Sequence, residues 1–325
     1  MIRRFLDYIA IEKRYSPRTV KEYGDDLRAW CEFLGWTIEE FDPKELDAGD
    51  VKEWMMHMLD AGQSPRSVKR RLSAVKSLYR FLLGLGLVKV NITRTVIVPK
   101  ADKPLPIFFR ESEMEAFKEQ NKVPNYEEGM DKEDWLEAMR DYLLVEILYQ
   151  TGMRRAELAA LEDKDVDVPG RKIRVFGKRR KERIVPIGEQ LAKLIEDYLL
   201  VKHEVLQGNN DFGTFLVRKK KNGEWVPFGA AGIYNIVRAR MGDVSTLKKH
   251  SPHVLRHTFA TTMLNNGADI RTIQTILGHS SLEATQVYTH TTFEQVKQAY
   301  DAAHPRRKKK EERIGCLRQW LVDNS

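Results

Sequence analysis

Three prolines in one short stretch, Pro99, Pro104 and Pro106, divide this chain. Each ring removes a backbone N–H and clashes with the preceding turn, so no helix runs through the stretch. The residues before the prolines are pushed towards extended backbone. A chain of 325 residues interrupted there is expected to form two domains, each large enough to bury its own core. Residues 88–106 read as a linker, with a helical domain at 1–87 before it. A larger domain follows at 107–304, and a basic tail at 305–325.

The first domain reads as helix throughout. Ile2, Phe5, Leu6 and Ile9 recur at the helical period. Ser16-Pro17 and Ser64-Pro65 each place an N-cap residue before a proline suited to the first helical turn, predicting helices that run to Gly35 and Gly84. Asp50 with Glu53 reads as a capping box for another helix that stops near Gly62. SPRTVK at Ser16 and SPRSVK at Ser64 give two helices the same start, with open amides beside an Arg and a Lys, a place suited to a phosphate. In the second domain Trp135 to Gln150 predicts an amphipathic helix ending at Gly152. IRVF and RIVPI, between Arg171 and Ile187, predict two strands joined by the basic turn GKRRKE. Gly188 to Leu206 reads as helix, and from Pro252 short helices follow, broken at Gly267 and Gly278. The expected fold class is mainly α with a small β-sheet in the C-terminal domain.

The net charge of +8 says less than its placement. Ser64 to Arg80 holds six Lys or Arg and no acid, and Arg171 to Arg183 holds eight against one Glu, whereas Glu111 to Glu146 is acidic. That separation suits one face for a polyanion and another for water. Arg18, Lys21, Arg66, Lys69, Arg70 and Lys76, with Arg179 in the basic turn, are the candidate DNA contacts, to phosphates or to base edges. Cys31 and Cys316 cannot build a disulfide framework and fit a reducing cytosol. MIRRFLDYIAIEKRY lacks an apolar signal core and no apolar run spans a bilayer, so a cytoplasmic, nucleoid-associated protein with no membrane partner is expected.

Between His253 and His290 the chain gathers His253, Arg256, His257, His279 and Tyr288. A zinc helix is excluded: Val254 stands where HExxH needs Glu, and Arg256 repels a cation. No GxSxG elbow and no glycine-rich phosphate loop occurs, so neither a serine hydrolase nor an ATP-dependent enzyme is expected, and no cofactor or metal is called for. A set of Arg, Lys, His and Tyr suits attack on a phosphodiester. Guanidinium forks hold the non-bridging oxygens of the transition state. A phenol, with an ordinary pKa of about 10, becomes a nucleophile beside cations and a His acceptor. A phosphotyrosine keeps the bond energy of the phosphodiester, so a second hydroxyl can reverse the step.

These residues resemble the tyrosine recombinases, the lambda-integrase superfamily. HVLRH is similar to the family's His-x-x-Arg, LGHSS to its second His motif, and Tyr288 lies nine residues past His279, the family's usual gap. YQTGMRRAEL resembles the first Arg motif and picks out Arg154 rather than Arg155; VFGKRRKERIVPI resembles the hairpin of the catalytic Lys and picks out Lys178, with Arg179, Arg180 and Lys181 sharing the turn. The likeness runs from the SPRT helix to about His304 and is nearest to bacterial Xer-type recombinases.

The resemblance implies Tyr288 as nucleophile, Arg154 and Arg256 as the phosphate clamp, Lys178 as general acid, His253 in proton transfer, His279 on the phosphate, and Glu157 behind Arg154. It implies a helical, SAM-like core-binding domain and a catalytic domain forming a C-shaped clamp on double-stranded DNA with inverted-repeat core sites. Four protomers assemble on DNA, with a paralogous recombinase and a DNA translocase as further expected partners. The helix from Phe293 to Ala303 is similar to the element that docks on a neighbouring protomer, with Phe293, Val296, Ala299 and Tyr300 as its apolar stripe. Chromosome-dimer resolution is the expected role. Alternatives are a mobile-element integrase, a silent DNA-binding relative, and a topoisomerase-like nicking-closing enzyme.

Overall fold

The computed structural model describes residues 1–99, 107–122, 131–177, 182–206, 213–278 and 290–307, for 290–295 and 307 the backbone only. The chain folds as two units, Met1–Leu105 and Pro106–Ser325.

The first unit holds α1 (Ile2–Ile11), α2 (Pro17–Phe33), α3 (Ala48–Asp60) and α4 (Pro65–Gly84). α2 and α4 open alike, as their sequences predict: Ser16 Oγ accepts from the Thr19 amide and Ser64 Oγ from the Ser67 amide, each at 3.2 Å. α3 opens earlier than expected. Its N-cap is Asp47, with Asp50 at N3 closing the box through its carboxylate on the Asp47 amide at 2.7 Å. The later start fails because Val51, Trp54, Met55 and Met58 must all face the core from regular helix.

That core centres on Trp30, whose ring meets Phe41 at 5.6 Å, Trp54 at 6.1 Å and Tyr79 at 6.2 Å. Each such fully buried side chain contributes about 1.5–3 kcal/mol. Cys31 is buried beside Trp30, and burial, with Glu32 nearby, pushes its thiol up to about 11. The segment expected to be a linker is not free over its first part. Val88, Ile92, Val96 and Val98 pack on this core, and a 3-10 turn at Ile92–Thr95 is set by Asn91 Oδ1 accepting from the Thr93 amide at 3.1 Å.

The second unit is built around α6 (Lys132–Thr151), with α5 (Glu111–Gln120), α7 (Arg155–Ala159), α8 (Glu189–Leu206), α9 (Ala230–Gly242), α10 (Pro252–Asn265), α11 (Ile270–Leu277) and α12 (His290–Ala303). α6 packs against α7, α8, α9 and α10. It was expected to be amphipathic, yet every residue from Met139 to Thr151 is buried. The charges it carries are paired inside the fold. Arg140 donates to Asp141 and to the Val217 carbonyl and stacks on the Phe228 ring at 4.4 Å. Glu146 accepts from Gln150 and from Arg306.

Strands β1 (Val166–Asp167), β2 (Lys172–Phe176) and β3 (Glu182–Pro186) form an antiparallel sheet in that order, with Val175 opposite Arg183 and Ile173 opposite Val185. The expected hairpin is thus present on both sides of its turn. A second hairpin pairs β4 (Val217–Lys219) with β5 (Trp225–Pro227). It goes beyond the strands expected from sequence, although Asn222-Gly223, with Gly223 at φ +84°, is a strong hairpin signal.

α12 corrects another expectation. Val296 and Tyr300 are not an open stripe for a neighbour; with Ala303 they are buried in the unit's own core, against α10, α11 and β3, while Ala299 is half-buried. The Phe293 side chain lies outside the described residues. Asn266 Nδ2 donates to the Ala303 carbonyl at 2.7 Å. The basic tail starts pinned rather than loose: Arg306 bonds Glu115 at 2.6 Å and the buried Glu146 at 3.1 Å, over the Tyr149 ring. Residues 308–325 lie outside the described residues. No described helix is long and apolar enough to cross a membrane.

Candidate active site

Gly152 ends α6 in the left-handed conformation at φ +60°, and the chain turns through buried Met153 to Arg154, the residue before α7. Glu157, one turn into α7, folds back on it. Its Oε2 accepts from the Arg154 amide at 2.7 Å and its Oε1 from Arg154 Nη1 at 2.8 Å. The carboxylate is buried, whereas the Arg154 side chain is 41% exposed. A charged fork is thereby aimed outward from a fixed base.

Glu157 has a second cation, outside the residues expected from sequence. Arg183 on β3 gives both terminal nitrogens to it, at 2.7 and 3.1 Å, and its Nε donates to the Ile276 carbonyl at 2.7 Å. The signal was available. In RIVPI, Arg183, Val185 and Ile187 share the buried face of an alternating run, and an inward guanidinium requires a carboxylate partner. Burial, the largest single effect on Glu157, works to raise its pKa. The bonds and charges of Arg183 and Arg154 outweigh it, so the group stays ionised below the usual carboxylate range.

Arg256 is buried on α10. Its Nη1 donates to the Gly152 carbonyl at 2.5 Å and its Nη2 to the Leu277 carbonyl at 2.7 Å. Both carbonyls sit at helix C-termini, where a cation is favoured. These bonds use two of the five donors of a guanidinium, which leaves its edge for another acceptor. Burial, then the charges of Arg154 and Arg183, lower its pKa to about 10, so it remains a cation at neutral pH. Among the described residues three guanidiniums face one carboxylate here, and two positive charges stay unbalanced.

His253 stands one turn before Arg256 with an exposed ring. Partial burial, then Arg155, Arg256, His257 and Lys249, lower its pKa, so the ring is neutral at pH 7 and can accept a proton. Arg155, the other candidate in the first Arg motif, lies over the Tyr234 ring at 5.5 Å. His257, the other histidine of this helix, is exposed.

The structure thus brings Arg154, Glu157 and Arg256 together and sets His253 one turn away. Lys178, Arg179, His279 and Tyr288 lie outside the described residues. Their flanks are described: β2 and β3 border the basic turn, and Gly278, at φ +64°, is seated where a Cβ would meet Arg183 at 3.1 Å. Among the candidate DNA contacts, Lys21, Arg66, Lys69 and Lys76 are exposed, and Arg18 is exposed with Glu22 at 2.8 Å. Arg70 differs: it grips the buried Asp26 with two bonds, at 2.6 and 2.9 Å, so part of its charge is committed to the fold. Chemically, the arrangement offers a preorganised cationic seat for an oxyanion with a neutral imidazole beside it.

Residues 117–295 match the phage integrase family, and residues 2–84 match the phage integrase N-terminal SAM-like domain. The chain is 36% identical over 321 residues to tyrosine recombinase XerC of Chlorobaculum parvum, spanning 93% of each chain. It is 36% identical over 313 residues to tyrosine recombinase XerC of Pediococcus pentosaceus, spanning 94% of this chain and 98% of that one. Its fold is similar to that of XerH site-specific recombinase bound to palindromic difH substrate in a post-cleavage complex, with a TM-score of 0.65 and 21% identity over 92% of this chain and 84% of that one.

Proposed function

Because the chain belongs to the phage integrase family and is a site-specific tyrosine recombinase, we propose that it exchanges DNA strands through a 3′-phosphotyrosine at Tyr288. The observation that carries the reading is the cluster of Arg154 and Arg256 braced on Glu157 and on two helix-end carbonyls. The phosphorane formed during attack spreads negative charge over its non-bridging oxygens, and two fixed guanidiniums stabilise that charge without reorganising.

The step runs as follows. His253 takes the phenolic proton, the Tyr288 oxygen bonds to phosphorus, and the bond from phosphorus to the 5′ oxygen breaks. Lys178 gives its proton to that oxygen, and His279 hydrogen-bonds the phosphate. A 5′ hydroxyl from a partner duplex then reverses the step, with no ATP and no metal. Arg18, Lys21, Arg66, Lys69, Lys76 and Arg179 bind the DNA backbone, with base contacts among them. The substrate is double-stranded DNA with inverted-repeat core sites, on which this chain self-associates into a tetramer, with a paralogous recombinase and a DNA translocase as further partners. The biological role is resolution of chromosome dimers at cell division, in the cytoplasm at the nucleoid. The XerC names of the relatives support this over a mobile-element integrase.

A duplex nicked beside the cleavage point tests the reading. The chain forms a protease-sensitive covalent adduct in EDTA, and Tyr288→Phe binds the same duplex but forms none. An adduct that persists in Tyr288→Phe, or one that requires a divalent metal, overturns the mechanism.

A further inference from the structure

We propose that Arg183 is a positioning residue that neutralises Glu157 and so leaves the charge of Arg154 for the scissile phosphate. The inference rests on the reading of Arg154 and Arg256 given above.

Glu157 is shared. Each of its oxygens accepts once from Arg154 and once from Arg183. With Arg154 as its sole partner, the carboxylate would cancel the exposed guanidinium of Arg154, and among the described cations of the cluster Arg256 alone would face the phosphate unbalanced. With Arg183 present there are two. A phosphodiester carries one negative charge and its transition state develops more, so the second positive charge acts where binding and chemistry differ.

The geometry limits Arg183 to that role. Its side chain is only 5% exposed, and its Nε is fixed on the Ile276 carbonyl. It therefore cannot turn outward to DNA. Its charge still acts on its neighbours: after burial and Arg154, it is the next influence depressing the Arg256 guanidinium. The same side chain joins β3 to α7 and to the end of α11, so it also holds the strand after the basic turn against the helix that precedes His279.

The test uses the full chain and the nicked duplex. Arg183→Met is expected to slow adduct formation about 10²-fold, the scale of one lost preorganised charge donor, with DNA affinity changed less than about twofold because a buried side chain makes no phosphate contact. Arg183→Lys retains the charge and recovers most of the rate. The deciding variant is Arg183→Met with Glu157→Gln. Removing the orphaned carboxylate restores two unbalanced cations, and the rate rises at least about tenfold above Arg183→Met, a coupling of the kind double-mutant cycles resolve. A purely structural brace predicts the opposite, since the double variant loses both ends of the bridge. Should methionine prevent folding, Arg183→Gln carries the same comparison. A double variant no faster than the single one overturns the assignment. Failure of the unsubstituted chain to form any adduct overturns the reading of the site instead.

Discussion

Gly152→Ala probes how tightly the site is built into the core. Gly152 sits at φ +60°, and a Cβ there would lie 2.6 Å from Leu277 Cδ2 and 2.6 Å from Phe259 Cδ1. Two costs follow. Holding a residue with a Cβ in the left-handed region costs about 1–2 kcal/mol, and overpacking a filled core costs about 1–3 kcal/mol. Together they destabilise the second unit by about 2–5 kcal/mol. Gly267 supplies the control. It has φ +86° in the same unit, with nothing within 4 Å of its Cβ position, so Gly267→Ala bears the backbone cost alone. Hydrogen exchange read peptide by peptide separates the units: α6, α10 and α11 lose protection in Gly152→Ala, and α1 to α4 do not. Adduct formation falls as well, because the Gly152 carbonyl that holds Arg256 moves with the backbone. Equal loss of protection in the two alanine variants would refute the packing argument.

Three further outcomes are expected. Arg306→Met leaves Glu146 buried without its cation and destabilises the second unit by about 3–5 kcal/mol in urea unfolding, and adding Glu146→Gln recovers part of it. Adduct formation followed from about pH 5 to pH 8 falls on the acid side only below the ordinary imidazole value of about 6.5, because His253 binds its proton more weakly than a free imidazole, and His253→Gln removes that limb. Stability follows the same sign: the unfolded chain binds the proton more tightly, so the His253 contribution is present above that value and is lost as pH falls below it. Ser64→Ala, by removing the cap of α4, costs the first unit about 0.5–2 kcal/mol in thermal or urea unfolding and loosens α4 peptides first in hydrogen exchange, whereas Ser16→Ala loosens those of α2.

The parts of the fold that were legible are those whose cause is local. Ser16-Pro17 and Ser64-Pro65 start helices because cap and amide lie within one turn. RIVPI reads as a strand because its alternation needs no distant partner. What failed was decided elsewhere in the chain. Asp47, Asp50 and Glu53 all offer capping oxygens, and only the demand that Val51 and Trp54 face the core selects Asp47. α6 looks half-polar because Arg140, Asp141 and Glu146 count as surface residues until Val217, Phe228 and Arg306 are brought to them. α12 looks like an open face until α10 and α11 are folded beneath it. In the site, motif spacing marks Arg154, Glu157 and Arg256; for Arg183 the strand alternation marks only an inward cation, and which carboxylate it meets appears once β3 is laid beside α7.

Arg256 spans the C-termini of α6 and α11 while facing the site, so one side chain is both fastener and tool. Replacing it strands two helix-end carbonyls along with the chemistry, and a lysine, with a single nitrogen, cannot serve both carbonyls in the same fork. Loss of activity at this position is therefore coupled to loosening of the two helix ends, and a chain on this scaffold that abandoned catalysis would sooner do so at a residue the framework does not lean on.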